Sequence, residues 1–304
     1  MRSWLILAVL LLTACDRANV PGEIASSEPE VVTVYTVNYP LAWAAERLGA
    51  ESVQVHFPAP ADIDPAFWEP DLETLAGFQQ ADLILLNGAG YAQWLSQVSL
   101  PLNRVLDTSR DFADRLIPVD SGPVHSHGPT GEHSHGELAF TLWLDLELLS
   151  RQSSAIEAAL VRLFPEQTAE IGERAEDLRR ELSVMDAELL ALGEQLAGAP
   201  LLYSHPVYQY LQRRYGLNGE ALHWEPGELP DEQAWSELDA LLARHPARLM
   251  LWEDEPLPAT REKLAERGID VIVFLPLGNR PESGDFAGGM AANIERLRTA
   301  IPPG

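Results

Sequence analysis

Apolar positions along this chain alternate between two periods. Val31-Val32-Thr33-Val34-Tyr35-Thr36-Val37 is short and β-branched, which predicts a buried strand. Leu41 to Leu48 follows at helical spacing and stops at Gly49, a natural helix end. Val53 to Phe57 predicts a second strand, Asp71 to Gln80 a helix, and Asp82 to Leu86 a third strand ending at Asn87-Gly88. The alternation resumes late in the chain. Strands are expected at Pro200 to Ser204, Leu249 to Trp252 and Asp270 to Phe274. Helices are expected at Val207 to Tyr215, Asp231 to Ala243, Thr260 to Arg267 and Phe286 to Ala300. Strand–helix alternation of this kind predicts parallel sheets covered by helices.

The middle of the chain breaks that rhythm. Ile171, Ala175, Leu178, Leu182, Met185, Leu189, Leu192 and Leu196 step by 4, 3, 4, 3, 4, 3, 4, a sustained stripe on one helix face. Pro165 precedes it, where a helix can start or bend. A continuous helix over Glu166 to Leu196 would run about 45 Å. A coiled-coil dimer is one use of the stripe; a single helix laid across two flanking lobes is the simpler one. The fold class expected is therefore α/β, two parallel-sheet lobes joined by one long rigid helix. Its segments are 31–145, 146–198 for the helical connection, and 199–304.

The first thirty residues carry a different signal. Arg2 followed by the apolar run Leu5 to Leu12 reads as an export signal over 1–14, too short for a bilayer span of roughly 20 residues. Leu12-Thr13-Ala14-Cys15 resembles a bacterial lipobox, which makes Cys15 the lipidation site and 15–30, rich in Pro, Ser and Glu, a flexible tether. Cys15 is the single cysteine, so an intramolecular disulfide and thiolate ligation elsewhere are both excluded. The location expected is periplasmic or extracytoplasmic, anchored to a membrane by lipid.

Formal charge is −25, from 46 acidic and 21 basic residues, which argues against a nucleic-acid partner. No G-x-S-x-G, H-E-x-x-H, P-loop or dinucleotide fingerprint is present, and nothing in the sequence supports an enzyme. Histidine is the informative residue. Four of eight fall in one Gly/Ser/Pro loop, 124–136, at His125, His127, His133 and His135. Imidazole suits zinc and neighbouring transition metals, and such a loop can fold around an ion. His205, in Tyr203-Ser204-His205-Pro206, follows an expected strand, where α/β sheets bind ligands. His223 and His245 carry no metal spacing, and His245-Pro246 reads as a surface turn.

Taken in order, several segments resemble one family. These are Val34 to Gly49 with its Asn38-Tyr39-Pro40-Leu41 turn, Asp64-Pro65-Ala66-Phe67-Trp68-Glu69-Pro70, and Ala81 to Gly88 running into Trp94-Leu95. The His-rich loop leading to Leu142-Trp143-Leu144-Asp145, then Ser204-His205-Pro206 before Tyr215-Gly216-Leu217, and Pro276-Leu277-Gly278 complete the set. Together they resemble the zinc- and manganese-binding substrate-binding proteins of metal ABC transporters. The resemblance implies zinc as cargo, with manganese or another transition metal as alternatives, and an inner-membrane ABC permease as partner. It also implies four ligand positions, here Ala66, Thr141, His205 and Leu275. Only His205 can coordinate.

Three readings follow from that departure. A transition metal is still held by His205 with the loop histidines, and Glu69, Glu253 and Asp254 are candidate carboxylates. Alternatively, the cleft, with Trp68 and Trp143 beside the old ligand positions, takes a small organic molecule or chelate. Or the lobes act as an adhesin or interaction module.

Overall fold

The computed structural model describes residues 31–119, 125–126, 132–133 and 138–301. The export signal, Cys15 and the tether lie outside them. Strands β1 (Val32–Thr36), β2 (Val53–His56), β3 (Leu83–Leu86) and β4 (Val105–Asp107) form a sheet of order β2-β1-β3-β4. All its pairings are parallel. Helix α1 (Tyr39–Gly49) joins β1 to β2, and α2 (Leu72–Gln80) leads into β3. Each helix starts where a side chain takes up an orphan amide. Asn38 Oδ1 accepts from Leu41 N at 3.3 Å and Asp71 Oδ1 from Thr74 N at 2.8 Å. The strand β4 goes beyond the sequence reading, because three residues are too few to display a period.

Two short strands, β5 (His125–Ser126) and β6 (Glu132–His133), pair antiparallel within the His-rich segment. Helix α3 (Leu146–Leu163) follows, capped by Asp145, whose Oδ1 accepts from Glu147 N and Leu148 N. A turn over Pro165–Gln167 leads into α4 (Thr168–Leu196), 29 residues long. The connection is thus two packed helices, and α4 begins after Pro165 as expected. Every residue of the predicted apolar stripe, Ile171 through Leu196, is buried in α4. That stripe packs against α1 and α3 on one side and against later helices on the other, so it is spent within the chain.

The second sheet comprises β7 (Pro200–Tyr203), β8 (Asn218–Ala221), β9 (Leu249–Trp252) and β10 (Asp270–Val273), in the order β10-β9-β7-β8, again all parallel. Helices α5 (Gln209–Tyr215), α6 (Glu232–Arg244), α7 (Pro258–Glu266) and α8 (Phe286–Ala300) surround it. The strand β8, Asn-Gly-Glu-Ala, has no β-branched residue and was not expected. It exists because the edge of β7 needs main-chain partners. Gly219 permits the pairing, since a Cβ there would stand 2.1 Å from the Tyr203 ring.

Hydrogen bonds cross between the lobes at several points. Tyr39 N donates to Gly278 O at 2.9 Å, Trp43 Nε1 to Asp285 Oδ2 at 3.1 Å, and Asn279 Nδ2 to Pro60 O at 2.6 Å and Ile63 O at 2.9 Å. Thr141 Oγ1 donates to Val207 O at 2.6 Å. Along α4, Arg174 Nε reaches Leu48 O at 2.7 Å, and Arg214 forks onto Asp186 at 2.6 and 3.0 Å. Lobes joined this closely leave little room for a large hinge motion.

Candidate metal centre

The carboxyl ends of three neighbouring strands in the second sheet converge on one point. His205 lies just past β7, the inner strand. Glu225 lies past β8 on one side and Glu253 directly past β9 on the other. Backbone bonds hold the approach: Ser204 N donates to Leu251 O at 2.9 Å and Trp224 N to Ser204 O at 2.8 Å. One donor atom from each of His205, Glu225 and Glu253 falls within 4.8 Å of the other two. His205 Nδ1 stands 3.3 Å from Glu225 Oε1, and the ring is 4% exposed. This is the place in an open α/β sheet where ligands gather.

The electrostatics ask for a cation. The Glu253 carboxyl is pushed up to about 8, first by burial and then by the negative charges of Glu225, Asp64 and Asp254. A carboxylate so placed keeps a proton at neutral pH unless a positive charge replaces it. One imidazole and two carboxylates are a donor set that divalent transition metals accept, with further positions left open.

The three positions that the resemblance marks as lost ligands are occupied by groups with other work. Ala66 is buried, Thr141 Oγ1 donates to Val207 O, and Leu275 N donates to Asn293 Oδ1 at 2.9 Å. Of the carboxylates named as candidates in the sequence, Glu253 stands beside His205, and Glu225, which was not named, joins it. Glu225 carried no sequence signal, because its place depends on β8. His223, set aside on spacing, has its ring 5.7 Å from that of His205, edge to face. His245 is no surface turn: it is buried, with Nε2 2.8 Å from Leu201 O. Asp254 lines the cleft beside Glu253, whereas Glu69 is exposed and lies off it. His127 and His135 lie outside the described residues. The backbone register sets His125 opposite His133.

A cleft that Glu253, Asp64 and Asp254 help to line has a volume of about 910 Å³. Its floor includes Pro276-Leu277-Gly278, where Leu277 adopts φ 60°, a backbone region that L-residues seldom enter. Hydrogen bonds from the other lobe, at Pro276 O and Gly278 O, flank that residue and hold it there.

A sequence profile of the zinc-uptake complex component A, periplasmic (ZnuA), matches residues 34–300. The chain belongs to that family. Its members are transport binding proteins and not enzymes. The high-affinity zinc uptake system protein ZnuA of Bacillus subtilis is 21% identical over 303 residues, 96% of this chain and 94% of the relative's. Among solved structures, the metal-dependent lipoprotein YcdH of B. subtilis superposes with a TM-score of 0.76 at 17% identity, over 89% of this chain and 100% of that one. The Zn(II)-bound ZnuA-like domain of Streptococcus pneumoniae AdcA gives 0.74 at 17%, over 89% and 99%. At such identities these structures show the shared fold of two lobes and a long connecting helix. No described helix is long and apolar enough to cross a membrane.

Proposed function

We propose that this chain captures a divalent metal ion, zinc in the first place, in the cleft at His205, Glu225 and Glu253, and delivers it to an ABC permease. The observation that carries the reading is the convergence of one imidazole and two carboxylates at the ends of adjacent strands. Family membership supports the transport role, and the names of the relatives support zinc. Three side chains leave open at least one of the four positions zinc prefers. The loop histidines His125, His127, His133 and His135 are the chain's own candidates to fill it or to collect ions for it. Acylation at Cys15 would keep the protein near its permease.

Zinc titration of the full, tag-free chain tests this reading. The expected result is about one tightly held equivalent, weakened at least ~10-fold by His205→Ala and by Glu225→Gln. A protein that stays metal-free under excess zinc would sink it.

A further inference from the structure

The chain that leaves β8 carries a second histidine past the metal donors. Leu222 N donates to Tyr203 O at 2.9 Å and Trp224 N to Ser204 O at 2.8 Å. Alternate amides thus face the end of β7, as they do in an extended strand, whose successive side chains point to opposite faces. Leu222 and Trp224 are buried in the core of the second lobe. The Trp224 ring centre is 4.8 Å from that of Trp235 and 6.2 Å from that of Trp252. His223 and Glu225 therefore share the other face. Two contacts agree: Glu225 Oε1 stands 3.3 Å from His205 Nδ1, and the His223 ring centre is 5.7 Å from that of His205. The buried indole anchors a segment with one donor on either side of it, both beside the same imidazole.

The spacing suits a shared ion. Two imidazoles on one tetrahedral zinc, with Zn–N of about 2.0–2.1 Å, hold their ring centres roughly 5 Å apart. The 5.7 Å between His205 and His223 is close to that. The His223 nitrogens lie outside the 4.8 Å grouping of His205, Glu225 and Glu253, so the ring has to turn on its side-chain bonds to join it. His223 is exposed, whereas His205 is buried and both carboxylates are half-buried. Exposed side chains change rotamer in picoseconds to nanoseconds. The exposed ring is the one that can close on an ion after the other three have met it.

A second imidazole also changes what the site prefers. Carboxylates suit manganese and magnesium, and imidazole suits zinc and its neighbours. With His223 the donors number four, the count that zinc takes, and all come from the ends of one sheet.

Resting on the metal reading above, we propose that His223 is the fourth ligand: it closes on the ion held by His205, Glu225 and Glu253, completes a set of two nitrogens and two oxygens, and gives the site its preference for zinc over manganese. The loop histidines then collect ions and do not complete the site.

Titration of the full, tag-free chain with zinc, manganese and cobalt(II) tests this, beside His223→Ala and a variant with His125, His127, His133 and His135 all replaced by alanine. Cobalt(II) reports coordination directly, since a four-coordinate site absorbs visible light strongly and a five- or six-coordinate one weakly. The parent should show the strong spectrum. His223→Ala should show the weak one and lose at least ~10-fold in zinc affinity, a loss that even residues supporting a ligand can cause. Manganese affinity should fall less, so that the zinc-to-manganese ratio drops. A merely structural role would weaken binding without altering the spectrum of what still binds. The variant without loop imidazoles should keep the parent's affinity and spectrum. A weak parent spectrum, an unchanged spectrum in His223→Ala, equal losses of zinc and manganese, or loss of the strong spectrum with the loop imidazoles overturns His223 as a ligand while leaving the metal site standing. A parent that holds no zinc overturns both.

Discussion

The indole Nε1 of Trp143 donates to the carbonyl of Pro276 at 2.6 Å, joining the end of the first lobe to the cleft floor of the second. Trp143 is 1% exposed, so neither group can turn to water instead. The bond also borders Leu277, the residue held in the left-handed backbone region. Trp143→Phe keeps an aromatic ring but strands the carbonyl. We expect a loss of about 1–3 kcal/mol in urea unfolding, together with weaker zinc retention. Unchanged stability would mean that the lobes are held by their other contacts.

The stripe on α4 offers a paired test. Leu182 is 1% exposed and Val184, two residues on, is 55% exposed. Leu182→Ala should cost about 2–5 kcal/mol, and Val184→Ala less than about 0.5. Equal effects on the monomer, or a change in oligomeric state for Val184→Ala alone, would point to an intermolecular use of the helix.

Gly193, also on α4, sets two effects against each other. Replacing a helical glycine by alanine gains about 1 kcal/mol in propensity. A Cβ at this position, however, would stand 2.0 Å from the Tyr215 carbonyl oxygen, a backbone atom at the end of α5. Overpacking of that kind costs about 1–3 kcal/mol, so Gly193→Ala should destabilise on balance. A raised Tm in this variant would refute the close approach.

Glu253 makes the metal-free protein sensitive to pH. Its carboxyl titrates near 4.5 in an unfolded chain and is pushed up to about 8 by burial and by its acidic neighbours. Between those values the folded protein keeps a proton that the unfolded chain has lost. Each pH step upward therefore favours unfolding until the folded carboxyl ionises. Stability of the chelator-treated protein should fall from about pH 4.5 to about pH 8 and then level off. Glu253→Gln should flatten that part of the profile, read as Tm against pH. Parallel profiles for the two proteins would contradict the cause assigned here.

Metal removal should register as lost stability. A ligand at a hundredfold excess over its Kd stabilises the folded state by about 2.7 kcal/mol. Zinc should raise Tm, a chelator should reverse the rise, and His205→Ala should abolish it. A rise of the same size in His205→Ala would place the ion elsewhere.

Much of the architecture was legible in the residues themselves. Val32–Thr36, Leu249–Trp252 and Phe286–Ala300 sit where period and propensity put them, and the eight-residue stripe of α4 is buried throughout. Hydrophobic period is local, and burial follows from it directly. The segments that carried the family resemblance could be read for the same reason, as short motifs in fixed order.

The site was only partly legible. His205 could be found because it follows a strand, and the empty chemistry of Ala66, Thr141 and Leu275 could be read position by position. Glu225 and Glu253 stand 20 and 48 residues further along the chain, and the strand that leads to Glu225 has no propensity of its own. Nothing local marks two carboxylates among 46 acidic residues as neighbours of one imidazole. Sheet order β10-β9-β7-β8 does that, because parallel pairing brings the ends of three strands together whatever the distance along the chain. The sequence by itself determined the strands, the helices and the one histidine; the pairing of edges, a tertiary fact, decided what stands beside it.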